Sequence, residues 1–192
     1  MTTAGPVLLV LGDSLSAAYG LRQEQGWVSL LARRLADDGS DLRRPNWRVV
    51  NASISGETTA GGRNRLPALL EQHKPALVLI ELGGNDALRG LPLAAASANL
   101  QQMVRDAHAA GARTLLVGMQ IPPNYGRAYA TQFEQMFVQV ARQNGSALVP
   151  FILEGFGHDR SWFQADGIHP NADAQPKMLD NVWPVLKTLL LP

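Results

Sequence analysis

Val7-Leu8-Leu9-Val10-Leu11-Gly12-Asp13-Ser14-Leu15-Ser16 decides how the rest of the chain is read. Five consecutive apolar residues without polar alternation predict a strand covered on both faces, and Gly12-Asp13-Ser14 ends it abruptly with a small hydroxyl at its carboxyl end. Ligands of open α/β sheets sit at that edge. Serine is also a preferred helix N-cap, and taken alone the segment favours that plainer role. Chemistry at Ser14 requires partners from elsewhere in the chain.

Further short apolar runs lie at residues 47–51, 76–82, 114–119 and 147–151, separated by stretches whose apolar residues repeat at helical spacing. Val28, Leu31 and Leu35 form one stripe, Leu100, Met103, Val104 and Ala107 a second, and Phe133, Phe137 and Val140 a third. Alternating strands and helices predict an α/β fold, a three-layer αβα sandwich around a five-stranded parallel sheet. Right-handed crossovers favour the order 2-1-3-4-5, which places the first and third strands side by side where the winding reverses. Gly39, Gly111 and Gly145 stand where helix C-caps tolerate positive φ. The last helix is expected to begin near Asn171 and run toward Leu190, absorbing Pro176 in its first turns and kinking or breaking at Pro184 beside Trp183.

With 192 residues at 46% hydrophobic, the chain can fill one core, and a single domain over residues 1–192 is expected. The 17 basic and 16 acidic residues nearly cancel, and the pairs Arg33-Arg34 and Arg43-Arg44 read as solvated positions, so no nucleic-acid partner is expected. The lack of cysteine excludes disulfides, thiol catalysis and cysteine metal sites. No apolar segment approaches the roughly 20 residues of a membrane span, so a soluble protein is expected. Residues 1–6 carry neither a basic side chain nor an apolar run, and no signal peptide is expected in this sequence.

Partners for Ser14 come from later in the chain. A hydroxyl is a weak nucleophile until a base takes its proton, and imidazole has the suitable basicity. In Ala165-Asp166-Gly167-Ile168-His169-Pro170, His169 is the candidate base, and Asp166 is near enough in the chain to hold its tautomer and stabilise the imidazolium. The same residues also suit a plain turn. His73, His108 and His158 read as exposed or hydrogen-bonded histidines. Acyl transfer further needs donors aimed at a developing oxyanion. The N–H of Ser14, the N–H of Gly56 and the amide of Asn85 leave three adjacent strand ends, although Gly56 and Asn85 each also suit an ordinary turn.

Taken in order, Gly12-Asp13-Ser14-Leu15, Gly56, Gly83-Gly84-Asn85-Asp86 and Asp166-Gly167-Ile168-His169 resemble the four blocks of the SGNH subgroup of the GDSL hydrolases, over nearly the whole chain. The resemblance implies a flavodoxin-like SGNH hydrolase fold with Ser14, Asp166 and His169 as catalytic residues. It also implies Ser14, Gly56 and Asn85 as the oxyanion hole, with no metal or organic cofactor. Residues 52–58, 81–86, 121–126 and 164–170 further resemble the bacterial multifunctional thioesterase, lysophospholipase and arylesterase branch. That branch implies acyl esters, acyl thioesters or lysophospholipids as substrates and a periplasmic address for the mature protein; a cytoplasmic address stays open.

Ile54, Leu88, Leu91, Ile121, Pro122, Tyr125 and Phe156 lie in loops past strand ends and are expected to wall an apolar substrate groove, with residues 88–92 moving on Gly90 to cover an acyl chain. Two other readings compete. A carbohydrate O-deacetylase would use similar blocks, and a non-catalytic flavin- or phosphate-binding module could hold phosphate with Ser14 and Ser16 at a helix N-terminus. The second lacks a glycine-rich loop, and Asp13 would repel the phosphate.

Overall fold

The computed structural model describes residues 5–38 and 45–190. Its sheet is built from β1 (Val7–Gly12), β2 (Arg48–Asn51), β3 (Leu77–Glu81), β4 (Arg113–Val117) and β5 (Ala147–Val149), all parallel and ordered β2-β1-β3-β4-β5. The unbroken apolar run of β1 serves both faces, because side chains alternate across a strand. Leu8 and Val10 join a core with Leu77, Leu79, Leu115 and Val117, whereas Leu9 and Leu11 join the opposite core with Val78, Ile80 and Leu116. The outer strands β2 and β5 are only partly buried, as edges are.

Among the described residues six α-helices cover the two faces: α1 (Trp27–Asp38), α2 (Thr59–His73), α3 (Gly84–Leu88), α4 (Leu93–Ala109), α5 (Arg127–Asn144) and α6 (Gln175–Leu189). The stripe Val28, Leu31 and Leu35 places α1 against β1 and, through Met178, Leu179, Val182 and Leu186, beside α6. On the other face, α2, α4 and α5 contribute Leu66 and Leu70, then Leu100, Met103, Val104 and Ala107, then Phe133, Phe137 and Val140. Gly111 and Gly145 follow α4 and α5 with φ of 83° and 67°, as their spacing predicts; Gly39 and the pair Arg43-Arg44 lie outside the described residues.

Two expectations are corrected here. First, α6 does not break at Pro184. The proline lies on the exposed side, while Val182 and Leu186 on either side of it are fully buried, so packing of that face carries the helix past one missing hydrogen bond. Second, no helix follows β1 directly; residues 14–20 form successive turns before α1. Ser14 is therefore not an N-cap. Among the described residues no helix is long and apolar enough to cross a membrane.

The register pairs Val10 with Asn51 and Gly12 with Glu81, so the loops leaving β1, β2 and β3 emerge at neighbouring points of one sheet edge. The winding reverses at β1, and there the edge opens into a crevice.

Candidate active site

Ser14 stands in the turn that ends β1, where the Ala17 N–H donates to the Asp13 carbonyl at 2.9 Å and the Tyr19 N–H to the Ser14 carbonyl at 3.2 Å. Its Oγ lies 2.9 Å from Nε2 of His169, and Nδ1 of the same ring lies 2.6 Å from Oδ2 of Asp166. An ionised carboxylate can only accept, so Nδ1 carries the ring proton and the lone pair of Nε2 faces the hydroxyl. That is the tautomer a base needs. The loop closes on its own carboxylate, because Oδ1 of Asp166 also accepts the N–H of Ile168 at 2.9 Å and of His169 at 3.0 Å. The His169 ring first, and then these N–H groups, hold the Asp166 carboxyl down at about 2.

Gln164 brackets the histidine loop to the serine turn. Its Nε2 donates to the Tyr19 carbonyl at 2.8 Å and to the Pro170 carbonyl at 3.1 Å, while its N–H donates to the His169 carbonyl at 2.8 Å. The Tyr19 ring lies against the imidazole with centroids 4.3 Å apart. The histidine is thus fixed on a face as well as at both nitrogens.

The three predicted oxyanion donors differ in readiness. The N–H groups of Ser14 and Gly56 donate to no other group of the described residues. Gly56 has φ 82°, and a Cβ there would meet nothing closer than 3.6 Å, so glycine is required for its backbone conformation rather than for space. Asn85, near the start of α3, has both amide hydrogens engaged: Nδ2 donates to Oδ2 of Asp13 at 3.1 Å and to the Glu57 carbonyl at 3.0 Å. For Asn85 to serve an oxyanion, the bond to Glu57 must be exchanged.

Below Ser14 the site is acidic and buried. Asp13, Glu81 and Asp86 are all buried. Asp86 is satisfied by the N–H and Oγ1–H of Thr59 at 2.9 and 2.6 Å. Burial, opposed by hydrogen bonds from Leu15 and Glu81, pushes the Asp13 carboxyl up from 3.8 to about 6. A carboxyl raised on folding binds a proton more tightly in the folded chain, so its stabilising contribution is complete below about pH 4 and is lost as the pH rises through about 6. The melting-temperature difference between the natural protein and D13N is accordingly expected to fall between pH 4 and pH 7. A difference independent of pH would contradict this placement of the charge.

A cavity of about 200 Å³ opens over the nucleophile, lined by Asp13, Ser14, Gly84, Asn85 and His169 on its polar side. Leu15, Leu88, Met119 and Ile168 form its apolar side. Of the residues expected to wall a groove, Leu88 lines this cavity, and Ile54, Leu91 and Tyr125 are exposed on neighbouring loops. Pro122 is exposed at the turn that precedes Tyr125. Ile121 and Phe156 are corrected: both are buried in the core, Ile121 on the face of α4 and α5 and Phe156 edge-on to Trp162. Segment 88–92 is tied at several points. Arg89 donates to the Gly56 carbonyl at 3.0 Å, the Leu91 N–H to the Asp86 carbonyl at 2.9 Å, and the Tyr129 hydroxyl to the Leu91 carbonyl at 3.1 Å.

Met119, Ile168, Tyr19 and Glu81 are the site residues that sequence reading missed. A carboxylate closing the buried run Leu77-Val78-Leu79-Ile80 was a usable signal for Glu81, since such a charge needs a partner. Ser16 is only 1% exposed and donates its hydroxyl to Glu81 at 2.8 Å, so it cannot hold a phosphate as the binding-module reading requires. Among the described residues no cluster of three histidine or acidic side chains could hold a metal ion.

Known proteins resemble the chain over most of its length. The chain is 58% identical over 187 residues to the esterase TesA of Pseudomonas aeruginosa, covering 97% of this chain and 90% of that protein. It is 44% identical over 177 residues to the thioesterase 1/protease 1/lysophospholipase L1 of Escherichia coli, covering 92% and 81%. The crystal structure of the psychrotrophic esterase EstA from Pseudoalteromonas, inhibited by monoethylphosphonate, superposes with a TM-score of 0.88 at 43% identity, covering 96% of this chain and 98% of that one. Residues 10–175 match the model of one family, and with the fold and these relatives they establish that the chain belongs to the GDSL-like lipase/acylhydrolase family.

Proposed function

We propose that this acylhydrolase cleaves carboxylic esters and acyl thioesters, aryl esters and lysophospholipids included, through an acyl-enzyme on Ser14. The observation that carries the reading is the continuous line from Ser14 Oγ to His169 Nε2 at 2.9 Å and from His169 Nδ1 to Asp166 Oδ2 at 2.6 Å. Ser14 attacks the acyl carbon as His169 takes its proton, and Asp166 stabilises the imidazolium. The oxyanion is held by the free N–H groups of Ser14 and Gly56, and the amide of Asn85 joins them by releasing the Glu57 carbonyl. His169 then protonates the leaving alcohol or thiol, and water repeats the sequence on the acyl-enzyme with the same base.

Asn85→Ala is expected to lower kcat by about 10² to 10³, as loss of a single oxyanion donor does elsewhere. Steady-state kinetics check this, and a loss under about threefold removes Asn85 from the role. The apolar side of the cavity supports an acyl group, with longer chains running out over Ile54 and Leu91 on the exposed rim. The cavity lining presents Leu15, Leu88, Met119 and Ile168 to the acyl side, which favours an apolar acyl group over an acetylated carbohydrate. The family resemblance also supports a periplasmic address for the mature protein.

The test of substrate class is kcat/KM across aryl esters and acyl-CoA thioesters of graded chain length, set against an acetylated sugar. Hydrolysis of both acyl series, each faster than sugar deacetylation, is expected. Preferential deacetylation of the sugar would overturn the substrate assignment.

A further inference from the structure

Beneath the nucleophile runs a hydrogen-bonded chain that hydrolysis itself does not consume. Glu81, the last residue of β3, is 3% exposed, and its Oε2 accepts from the Ser16 hydroxyl at 2.8 Å and from the Asp13 N–H at 3.4 Å. Asp13 continues the chain. Its Oδ1 accepts the Leu15 N–H at 3.0 Å, and its Oδ2 accepts Nδ2 of Asn85 at 3.1 Å. The fit is tight, because a Cβ on Gly12 would come within 2.9 Å of Glu81 Oε2 and 2.8 Å of Ser16 Oγ. The Glu81 carboxyl occupies its place only because residue 12 is glycine.

An amide carries a donor end and an acceptor end. Were the Asn85 side chain turned over, its oxygen would face the carboxylate of Asp13, and two acceptors would meet in a buried setting. Asp13 and the Glu57 carbonyl together dictate which end of Asn85 is presented, and Asp13 alone does so once the Glu57 bond is given up to the oxyanion; the position of Asp13 is set from below. We propose that Glu81 is a positioning residue that acts through Asp13 to keep the N–H₂ end of Asn85 available to the oxyanion. The proposal rests on the reading of Asn85 as an oxyanion donor.

The charge state suits this role. Burial, and after it the neighbouring charge of Asp13, push the Glu81 carboxyl well above its ordinary range, which favours the neutral acid. A neutral Glu81 can donate to Asp13 as well as accept from Ser16, and that bond helps keep Asp13 ionised. The other charges facing Asp13 are Asp86 on α3, which opposes its ionisation, and His169 on the loop before α6, which favours it when protonated. As the pH falls through about 6, Asp13 takes up a proton and its grip on the Asn85 amide weakens.

The experiment is a double-mutant cycle on the intact chain with p-nitrophenyl butyrate. E81L is expected to lower kcat about 10- to 50-fold, a part of the about 10² to 10³ that one donor carries, with KM changed less than about threefold. In the N85A background the same substitution is expected to cost less than about threefold, because coupled residues are not additive. E81Q, which can still accept from Ser16 and donate to Asp13, should recover most of the loss. Equal losses in both backgrounds mark a merely structural effect and overturn the proposal. So does an E81Q as slow as E81L, or an E81L within about threefold of the natural protein while N85A costs its full factor. An N85A loss under about threefold overturns the oxyanion reading instead. If melting curves show that E81L does not fold, S16A carries the same cycle, with a several-fold loss expected to vanish beside N85A and additive losses overturning the proposal.

Discussion

Ser14→Ala is expected to lower kcat for ester and thioester hydrolysis by about 10⁴-fold or more, leaving KM within a few-fold. The size follows from chemistry: loss of a serine nucleophile costs on the order of 10⁶ where it has been isolated, and oxyanion donors and binding alone still supply about 10³ to 10⁴ over water. The half-buried hydroxyl has one side-chain partner, Nε2 of His169 at 2.9 Å, so its removal leaves the turn and the core intact. Melting temperature should therefore stay close to that of the natural protein while turnover collapses. Turnover within about tenfold of the natural protein would mean that another group or a bound water attacks the carbonyl.

Asp166→Asn is expected to cost about 10³ to 10⁴ in kcat with little change in KM. Asparagine matches aspartate in shape, but its amide can donate to Nδ1. That bond favours the tautomer with the proton on Nε2, where the ring has no lone pair for the Ser14 hydroxyl. The carboxylate also organises the loop by accepting the N–H groups of Ile168 and His169, which the Oδ1 position of asparagine can still do. The loss should accordingly appear in turnover rather than in folding. Since the Asp166 carboxyl is held at about 2 against an ordinary 3.8, its ionic contribution to stability is present above about pH 4 and is lost as the pH falls toward 2. D166N should show a shallower acid melting profile than the natural protein over that interval. If D166N kept turnover within about tenfold, the carboxylate would be a loop anchor and no more.

Much of this architecture was legible because the chain is locally consistent with its fold. The run from Val7 to Leu11 announced a strand covered on both faces, and Leu8 and Leu9 do enter opposite cores. Alternation of strands with helical stripes, joined to the handedness of crossovers, was enough for the order of the sheet. The residues that meet at the nucleophile, Ser14, Asp166 and His169, were legible as residue types, but their contact across 155 positions of sequence was not. Only the resemblance of the four blocks joined them.

What stayed hidden has physical reasons. The helix α2 shows no clear apolar stripe, since Gly61, Gly62 and Pro67 interrupt it. It forms because Thr58 caps it and because Gly62 lets it approach the sheet, where a Cβ would come within 2.3 Å of Leu82. Pro184 reads as a helix breaker in any local account, and only the burial of Val182 and Leu186 explains why α6 continues. Ile121 and Phe156 follow strands and so read as groove residues, yet a loop past a strand end can turn its side chain inward as readily as outward. Ile168 was hidden between two residues with stronger claims, and it is 56% exposed beside the nucleophile. The amide of Asn85, engaged with both Asp13 and Glu57, belongs to hydrogen-bond directions that no residue pattern encodes.

The central claim is that Ser14 alone is activated for attack. Treatment with an alkyl fluorophosphonate, followed by intact mass and peptide mapping, tests it most directly. The account predicts one adduct per chain on the peptide carrying Ser14, loss of activity in proportion to labelling, and no adduct on S14A. An adduct on any other residue, or full inactivation without a gain in mass, would contradict it.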